Sequence, residues 1–418
     1  MGIGSLIQNR RKELKLTQEE LSNGICSITY ISKVENNNIQ PHKEILDYLL
    51  ERLSIDPKDL ALFDSETMNE KARNVYKAME SPKTYSQAKE LVPDFMDCYY
   101  QNTNPATKAT CSIVIAYFNI KEKKYKEAIP YIEFVDNHFE LIPKDLQYNA
   151  LKTKGFYFHQ TGKLKDALNI YLQAEDYAKQ QEIIDQELLY QLGMLHSKLN
   201  QFKVSNDYLS KALKAYNSLL NVKRIIECNM IIGINYSRQG TYNKAKEVFL
   251  TLLNNDEGTI NQAYLSSIHH NLGIVFLYMD EMDTAINYFK EAMALKNKDE
   301  DKIYTLYYLA YINKHRENYD EMMDYLNRGI NYSQNNLAMH YKFRIFKLNV
   351  LGKKQQLITL MENEILAYFK LTHPVVYQEI LLLLAELHKG LSQYKKSTYY
   401  LEKYINLNQI KSRKEVLL

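Results

Sequence analysis

At 418 residues, with 45% hydrophobic and 25% charged side chains, the chain has room for two or more cored domains and the makeup of a globular protein. Its 8 prolines and 13 glycines are scattered, which excludes a disordered linker; no apolar run reaches the ~20 residues of a membrane span, and the amphipathic N-terminus lacks the apolar core and cleavage site of a secretory signal. The formal charge of +3 is near balance, and Cys26, Cys98, Cys111 and Cys228 show no CxxC spacing and share no window with histidines, so a cytoplasmic protein with reduced thiols and no metal or other cofactor is expected.

Residues 1–62 read as five short helices forming a first domain. Ile3, Leu6, Ile7 and Leu14 set a helical stripe. Thr17 followed by Glu20 makes a capping box for a second helix from Gln18, which stops near Asn23-Gly24. Ser27 caps a third helix, Ile28 to Glu35, with Ile31 and Val34 inward, and Asn36-Asn37-Asn38 suits a left-handed exit. Pro41 precedes a fourth helix carrying Ile45, Leu46, Leu49, Leu50 and Leu53, and Pro57 opens a fifth ending in Leu60 and Leu62. The segment holds 8 Lys/Arg against 9 Asp/Glu, so its electrostatic grip on a polyanion rests on the bunched Arg10, Arg11, Lys12 and Lys15 rather than on net charge.

The runs RRKELKLTQEELS, ITYISKVENNNIQP and ILDYLLERLSIDPKDL resemble the Xre/Cro-type helix-turn-helix regulators. That resemblance implies a second helix lying across the phosphates and a third entering the major groove, N-terminal end first. Ser27, Ile28, Thr29 and Lys33 then face base edges: Lys33 donates to guanine O6 or N7, Thr29 donates or accepts, and Ile28 packs on a thymine methyl. Thr17, Gln18, Asn36, Asn37 and Asn38 are placed for phosphates, which set position without reading sequence. Tyr30 suits a sugar-phosphate contact or packing equally. Arg11 and Glu35 occupy positions that form a bracing ion pair in similar regulators, and a structural role is expected for them.

From residue 66 to 418 the chain is almost all amphipathic helix and repeats itself. Anchors at Tyr76, Ala116, Gly155, Gly193, Gly233, Gly273, Ala310, Ile345 and Ala385 recur every 35–40 residues. A bulky residue usually stands nine places on (Tyr85, Tyr125, Leu164, Phe202, Tyr242, Met282, Tyr319, Lys354, Tyr394), a small one usually at twelve, and an aromatic or aliphatic one often at sixteen. The Ile345 unit fits worst. Units such as GFYFHQTGKLKDALNIYLQA and GINYSRQGTYNKAKEVFLTL resemble the tetratricopeptide repeat, though longer than its usual 34 residues, the extra length falling in the second helix or its connection. An all-α chain follows: a five-helix N-terminal domain and a right-handed superhelix of about nine helix pairs, its concave groove lined by first helices. No phosphate-binding, metalloprotease or nucleophile-elbow motif occurs, and the adjacent His269-His270 point apart on a helix, so no enzyme is expected.

The combination is similar to the peptide-sensing Rap/NprR/PlcR/PrgX (quorum-sensing) regulators of Gram-positive bacteria, with the length of the NprR-like subgroup. The resemblance implies a homodimer on a palindromic operator in double-stranded DNA, switched by a short linear peptide in the groove. In the family an asparagine two places before the repeat anchor holds the peptide backbone, since an amide donates and accepts at once. Here Gln191 and Asn271 stand at that place, while Thr153, Ile231, Tyr308 and Phe343 depart from the pattern. Further groove candidates are Asn149, Lys152, Tyr190, Arg238, His270, Tyr307, Tyr311, Lys342 and Asn349. Two other readings stand beside this one: an array that binds a protein such as a response regulator, and a phage-encoded communication receptor.

Overall fold

The computed structural model describes residues 3–36, 38–39, 41–55, 65–254, 258, 260–372 and 374–416. These are helical apart from short turns, and among them no helix is long and apolar enough to cross a membrane. Two compact units divide at Ile231/Ile232.

The first unit opens with α1 (Ile3–Glu13), α2 (Gln18–Ser22), α3 (Ile28–Glu35) and α4 (Lys43–Leu53). The capping box forms as its sequence requires: Thr17 N–H donates to Glu20 Oε2 at 2.6 Å and Glu20 N–H returns to Thr17 Oγ1 at 3.1 Å. Ser27 Oγ accepts the Tyr30 N–H, which starts α3 where the sequence puts it. Ile7, Leu21, Ile31, Val34, Leu49, Leu50 and Leu53 close the core. Two expectations change, and a third is not tested. Leu14 lies past the end of α1 and is 42% exposed, so the stripe stops short of it. Asn36 leaves α3 with φ −85° and is not itself left-handed; Asn37 lies outside the described residues, and among the described residues of this region Lys15, Gly24 and Ser54 are left-handed. The fifth helix from Pro57, with Leu60 and Leu62, falls outside the described residues.

Helix pairs follow. The first unit contains α5 (Ser65–Glu80) with α6 (Tyr85–Glu90) and α7 (Val92–Gln101), α8 (Pro105–Lys121) with α9 (Tyr125–Asn137), α10 (Lys144–Gln160) with α11 (Leu164–Gln180), and α12 (Gln186–Lys198) with α13 (Phe202–Ser218). The division between the units falls inside α14 (Val222–Arg238). The second unit continues with α15 (Tyr242–Asn254), α16 (Gln262–Tyr278) with α17 (Met282–Ala294), and α18 (Asp299–His315) with α19 (Tyr319–Tyr332). After α20 (Leu337–Val350) come α21 (Lys354–Leu360), a π-turn (Met361–Ile365) and α22 (Leu366–Thr372), then α23 (Pro374–Gly390) and α24 (Tyr394–Val416).

The repeat rules of the sequence turn out to be packing rules. Each of the nine bulky residues nine places past an anchor is the first residue of a second helix. In eight pairs the residue two places earlier is left-handed, among them Gly162, Gly240 and Gly352. The sixteen-place partner lies against the anchor glycine, where a Cβ would stand 2.5 Å from Tyr171 at Gly155, 2.6 Å from Leu209 at Gly193, 2.5 Å from Phe249 at Gly233 and 2.6 Å from Phe289 at Gly273. The extra length sits partly in 17-residue second helices, α11 and α13. The Ile345 unit, which fits the pattern worst, carries the π-turn, a one-residue insertion that breaks register within a helix.

Candidate DNA-reading and ligand-binding surfaces

On the N-terminal helices one carboxylate ties three elements together. Arg11 donates to Glu35 through Nε (2.6 Å) and Nη2 (2.9 Å), Gln18 Nε2 adds a third bond at 2.8 Å, and Arg11 Nη1 holds the Leu16 carbonyl at 2.7 Å. The Glu35 side chain is fully buried and that of Arg11 is 11% exposed. Burial raises the Glu35 pKa, but the bonds from Arg11 and Gln18 outweigh it and hold the carboxyl below its usual range. The expected structural role of Arg11 and Glu35 is thus what the geometry has. Gln18, expected at a phosphate, instead has its amide nitrogen turned onto Glu35 and completes the brace.

With its back fixed, α3 presents an open front: Ser27, Ile28, Thr29 and Lys33 are exposed, Ile28 at 46%. An isoleucine with nearly half its surface open at the start of a helix suits an apolar base contact. Thr17 is exposed, its hydroxyl donating to Glu20 Oε2; Asn36 Nδ2 returns to the Ser32 carbonyl and Asn38 is exposed. Asn37 lies outside the described residues. The Tyr30 hydroxyl accepts the His42 N–H, which gives this ring a packing role. Arg52, which the sequence reading did not single out, holds the C-terminal carbonyls of α2 at Leu21 (3.1 Å) and Asn23.

The first helices of the first unit carry a dense charge cluster. Lys152 Nζ sits 2.5 Å from Glu80 and 2.6 Å from Asp185, and Tyr148 also donates to Asp185 at 2.8 Å. Burial alone would lower the Lys152 pKa, but the two acids raise it above its normal value. Next to it Glu187 accepts from Gln191 (2.8 Å), Tyr216 (2.9 Å) and Arg224 (2.7 Å), while the Arg224 guanidinium lies 4.4 Å from the Tyr190 ring centre. Lys152 and Tyr190, expected to face a ligand, are buried here and occupied by neighbouring repeats. Asn149 is half-buried, its carbonyl accepting from Tyr76 and Thr153. Gln191 keeps a buried Oε1 with no donor, the one unsatisfied group that the expected backbone-holding residue would offer.

In the second unit the candidates fall on consecutive first helices: His270 and Asn271 on α16, Tyr307 and Tyr311 on α18, Lys342 and Asn349 on α20. Asn271 Nδ2 donates to the Ser267 carbonyl one turn back, which leaves Oδ1 as an acceptor. Tyr311, Lys342, Asn349 and Arg238 are exposed, and Tyr307 is half-buried, edge-on to Phe343 and Phe346. His270 lies inside, its Nδ1 3.0 Å from Thr305 Oγ1, with burial and the nearby Lys296 pushing its pKa down to about 3. It is a neutral interhelix residue rather than a surface one. Lys296 itself, and a cleft of about 1130 Å³ beside it, were not visible in the anchor register because they lie at helix ends. Among the described residues no cluster of three metal-ligating side chains occurs.

These features define a helix-turn-helix protein with a tetratricopeptide-repeat array. Family models agree: "Helix-turn-helix" matches residues 7–60, and "Tetratricopeptide repeat" matches 186–218, the span of α12 and α13, and 266–299. The chain is 25% identical to "Transcriptional activator NprA" of Geobacillus stearothermophilus over 84% of its own length and 89% of that protein. "Response regulator aspartate phosphatase I" of Bacillus subtilis is 23% identical over 51% of this chain and 60% of that one. Among solved structures, the apo quorum sensor NprR from B. thuringiensis has TM-score 0.70 at 16% identity, covering 82% of this chain and 99% of that chain. NprR in complex with its cognate peptide NprX has TM-score 0.60 at 16% identity, covering 83% and 99%. The chain is thus similar over most of its length to a transcriptional activator, with a helix-turn-helix ahead of tetratricopeptide repeats.

Proposed function

We propose that the chain is a transcription regulator whose residues 1–62 bind operator DNA and whose repeats, residues 66–418, bind a short linear signalling peptide and join two copies. The observation that carries the reading is the asymmetry of α3: its inward side is locked by the Arg11–Glu35 brace, while Ser27, Ile28, Thr29 and Lys33 stand free at the end that enters a major groove. Peptide contacts are assigned in the second unit to Asn271, Tyr307, Tyr311, Lys342 and Asn349, and in the first to Gln191 and Asn149. Binding, not catalysis, is the proposed activity.

Selection of full-length protein on randomised duplexes tests the DNA half. Two inverted half-sites whose centres lie about one helical turn, ~34 Å, or a multiple apart are expected, because a two-fold protein needs a two-fold site. A single unrepeated site occupied by one copy refutes it. The likeness to a response regulator aspartate phosphatase supports a second reading, in which the array holds a receiver domain. Capture of a purified receiver domain that is lost on array substitution, with DNA binding intact, would favour it.

A further inference from the structure

The cleft in the second unit has a chemistry of its own. It opens between the N-terminal turns of α16 and α18 and the C-terminal ends of α17 and α19. Asparagines stand around it. Asn261 and Asn336 each spend Oδ1 on a helix N–H, from Tyr264 (3.0 Å) and Met339 (3.2 Å), so their NH2 groups remain as donors. Asn297 lines it as well.

The cleft is lined by the carboxylates Glu300 and Asp301 and by two lysines, exposed Lys298 and half-buried Lys296. Lys296 is the one that turns inward. Its Nζ donates to Thr305 Oγ1 at 3.0 Å, and among the described residues no carboxylate lies within 4.0 Å of it. Lys152 in the first unit shows the contrast, with two carboxylates against it. Thr305 is fully buried, and its hydroxyl also lies 3.0 Å from His270 Nδ1. That single bond to Thr305 leaves two Lys296 N–H groups for another acceptor. Partial burial lowers the Lys296 pKa, with Asp301 opposing at longer range. A half-desolvated ammonium gains most from an anionic partner.

The cleft is also continuous with the candidate groove residues. Ser267 lines it, and Asn271 is one turn further on the same face of α16; Tyr304 lines it, and Tyr307 and Tyr311 follow at three and seven places along α18. A linear ligand ending at Lys296 therefore runs directly onto those side chains.

We infer that this cleft takes the C-terminal carboxylate of a linear peptide, with Lys296 as its counter-ion and the cap asparagines as further donors. The inference rests on the peptide reading above and fixes the peptide's direction: carboxylate at the helix ends, preceding residues along Asn271 and Tyr311.

The test uses the full chain and a degenerate octapeptide library made once with free carboxylates and once with C-terminal amides, with retained peptides read by mass spectrometry. The wild type is expected to retain free-carboxylate peptides roughly tenfold better than the same sequences amidated, on the order of 1.4 kcal/mol. Lys296→Met should abolish that preference, and Lys296→Arg should keep most of it. If the wild type retains both libraries equally, or Lys296→Met still discriminates, the assignment of the carboxylate is wrong while peptide binding stands. If neither library is retained, the peptide reading itself falls. The comparison of libraries on the wild type needs no variant, so a folding defect in Lys296→Met does not blunt it.

Discussion

Glu35→Ala is the sharpest test of how α3 is held. The substitution removes the acceptor of three hydrogen bonds from α1 and α2 and leaves the Arg11 guanidinium, 11% exposed, with the Leu16 carbonyl and no counter-charge. Breaking a buried pair from one side costs about 3–5 kcal/mol, a large share of what a module this small can hold. Removing both charges together, as Arg11→Met with Glu35→Leu, should cost far less, because no buried ion is then stranded. Acid should mimic the single substitution. Since the folded Glu35 pKa is below its ordinary value, its contribution is fully present above about pH 4.5 and is lost as pH falls through the depressed value. Native-state hydrogen exchange in the full chain reads this locally: the Ile31, Val34 and Glu35 amides should lose protection while those of the array serve as an internal control. Unchanged protection in Glu35→Ala, or a double variant as damaged as the single one, would refute the brace.

Lys33→Ala should relax base preference at one position and cost roughly 1–3 kcal/mol on the preferred duplex, read by competition binding; a uniform loss on all sequences would make Lys33 a phosphate contact. Gly233→Ala puts a Cβ 2.5 Å from the Phe249 ring and should destabilise by about 1–3 kcal/mol despite alanine's better helix propensity, with Phe249→Leu restoring part of the loss in thermal unfolding. Asn271→Ala should weaken a bound peptide by ~1–3 kcal/mol in calorimetry without changing DNA affinity of the free protein; equal affinity removes Asn271 from the site.

What the sequence made legible was whatever depends on neighbours within one repeat or one helix. Thr17 with Glu20 and Ser27 before Ile28 are local signals, and both caps form. The small anchor and the bulky residue nine places on are legible because the hairpin of each pair repeats the same turn, and the sixteen-place ring is legible because it must meet the anchor. Charge pairing is not local. Glu80 and Asp185 reach Lys152 from 72 and 33 residues away, so Lys152 looks from sequence like a free groove cation. Lys296 was missed for the opposite reason: it lies past the end of a second helix, where periodicity carries no information, and its bond to Thr305 on the next helix is a matter of three-dimensional placement. Leu14 was misplaced because a helical stripe does not say where the helix stops.

The two lysines turn these differences into a final prediction. Lys152→Met should leave Glu80 without its ammonium and Asp185 buried beside Tyr148, and burial would then raise the Asp185 pKa that Lys152 now holds down. The expected loss is about 3–5 kcal/mol of stability, with the affinity of the folded protein for free-carboxylate peptides unchanged. Lys296→Met should do the reverse, since its ammonium donates to one neutral hydroxyl and, among the described residues, strands no carboxylate within 4.0 Å. Thermal unfolding and peptide retention measured on both variants separate the roles. A stable Lys152→Met that binds peptide poorly would move the ligand's charged group to the first unit, and with it the direction in which the peptide lies.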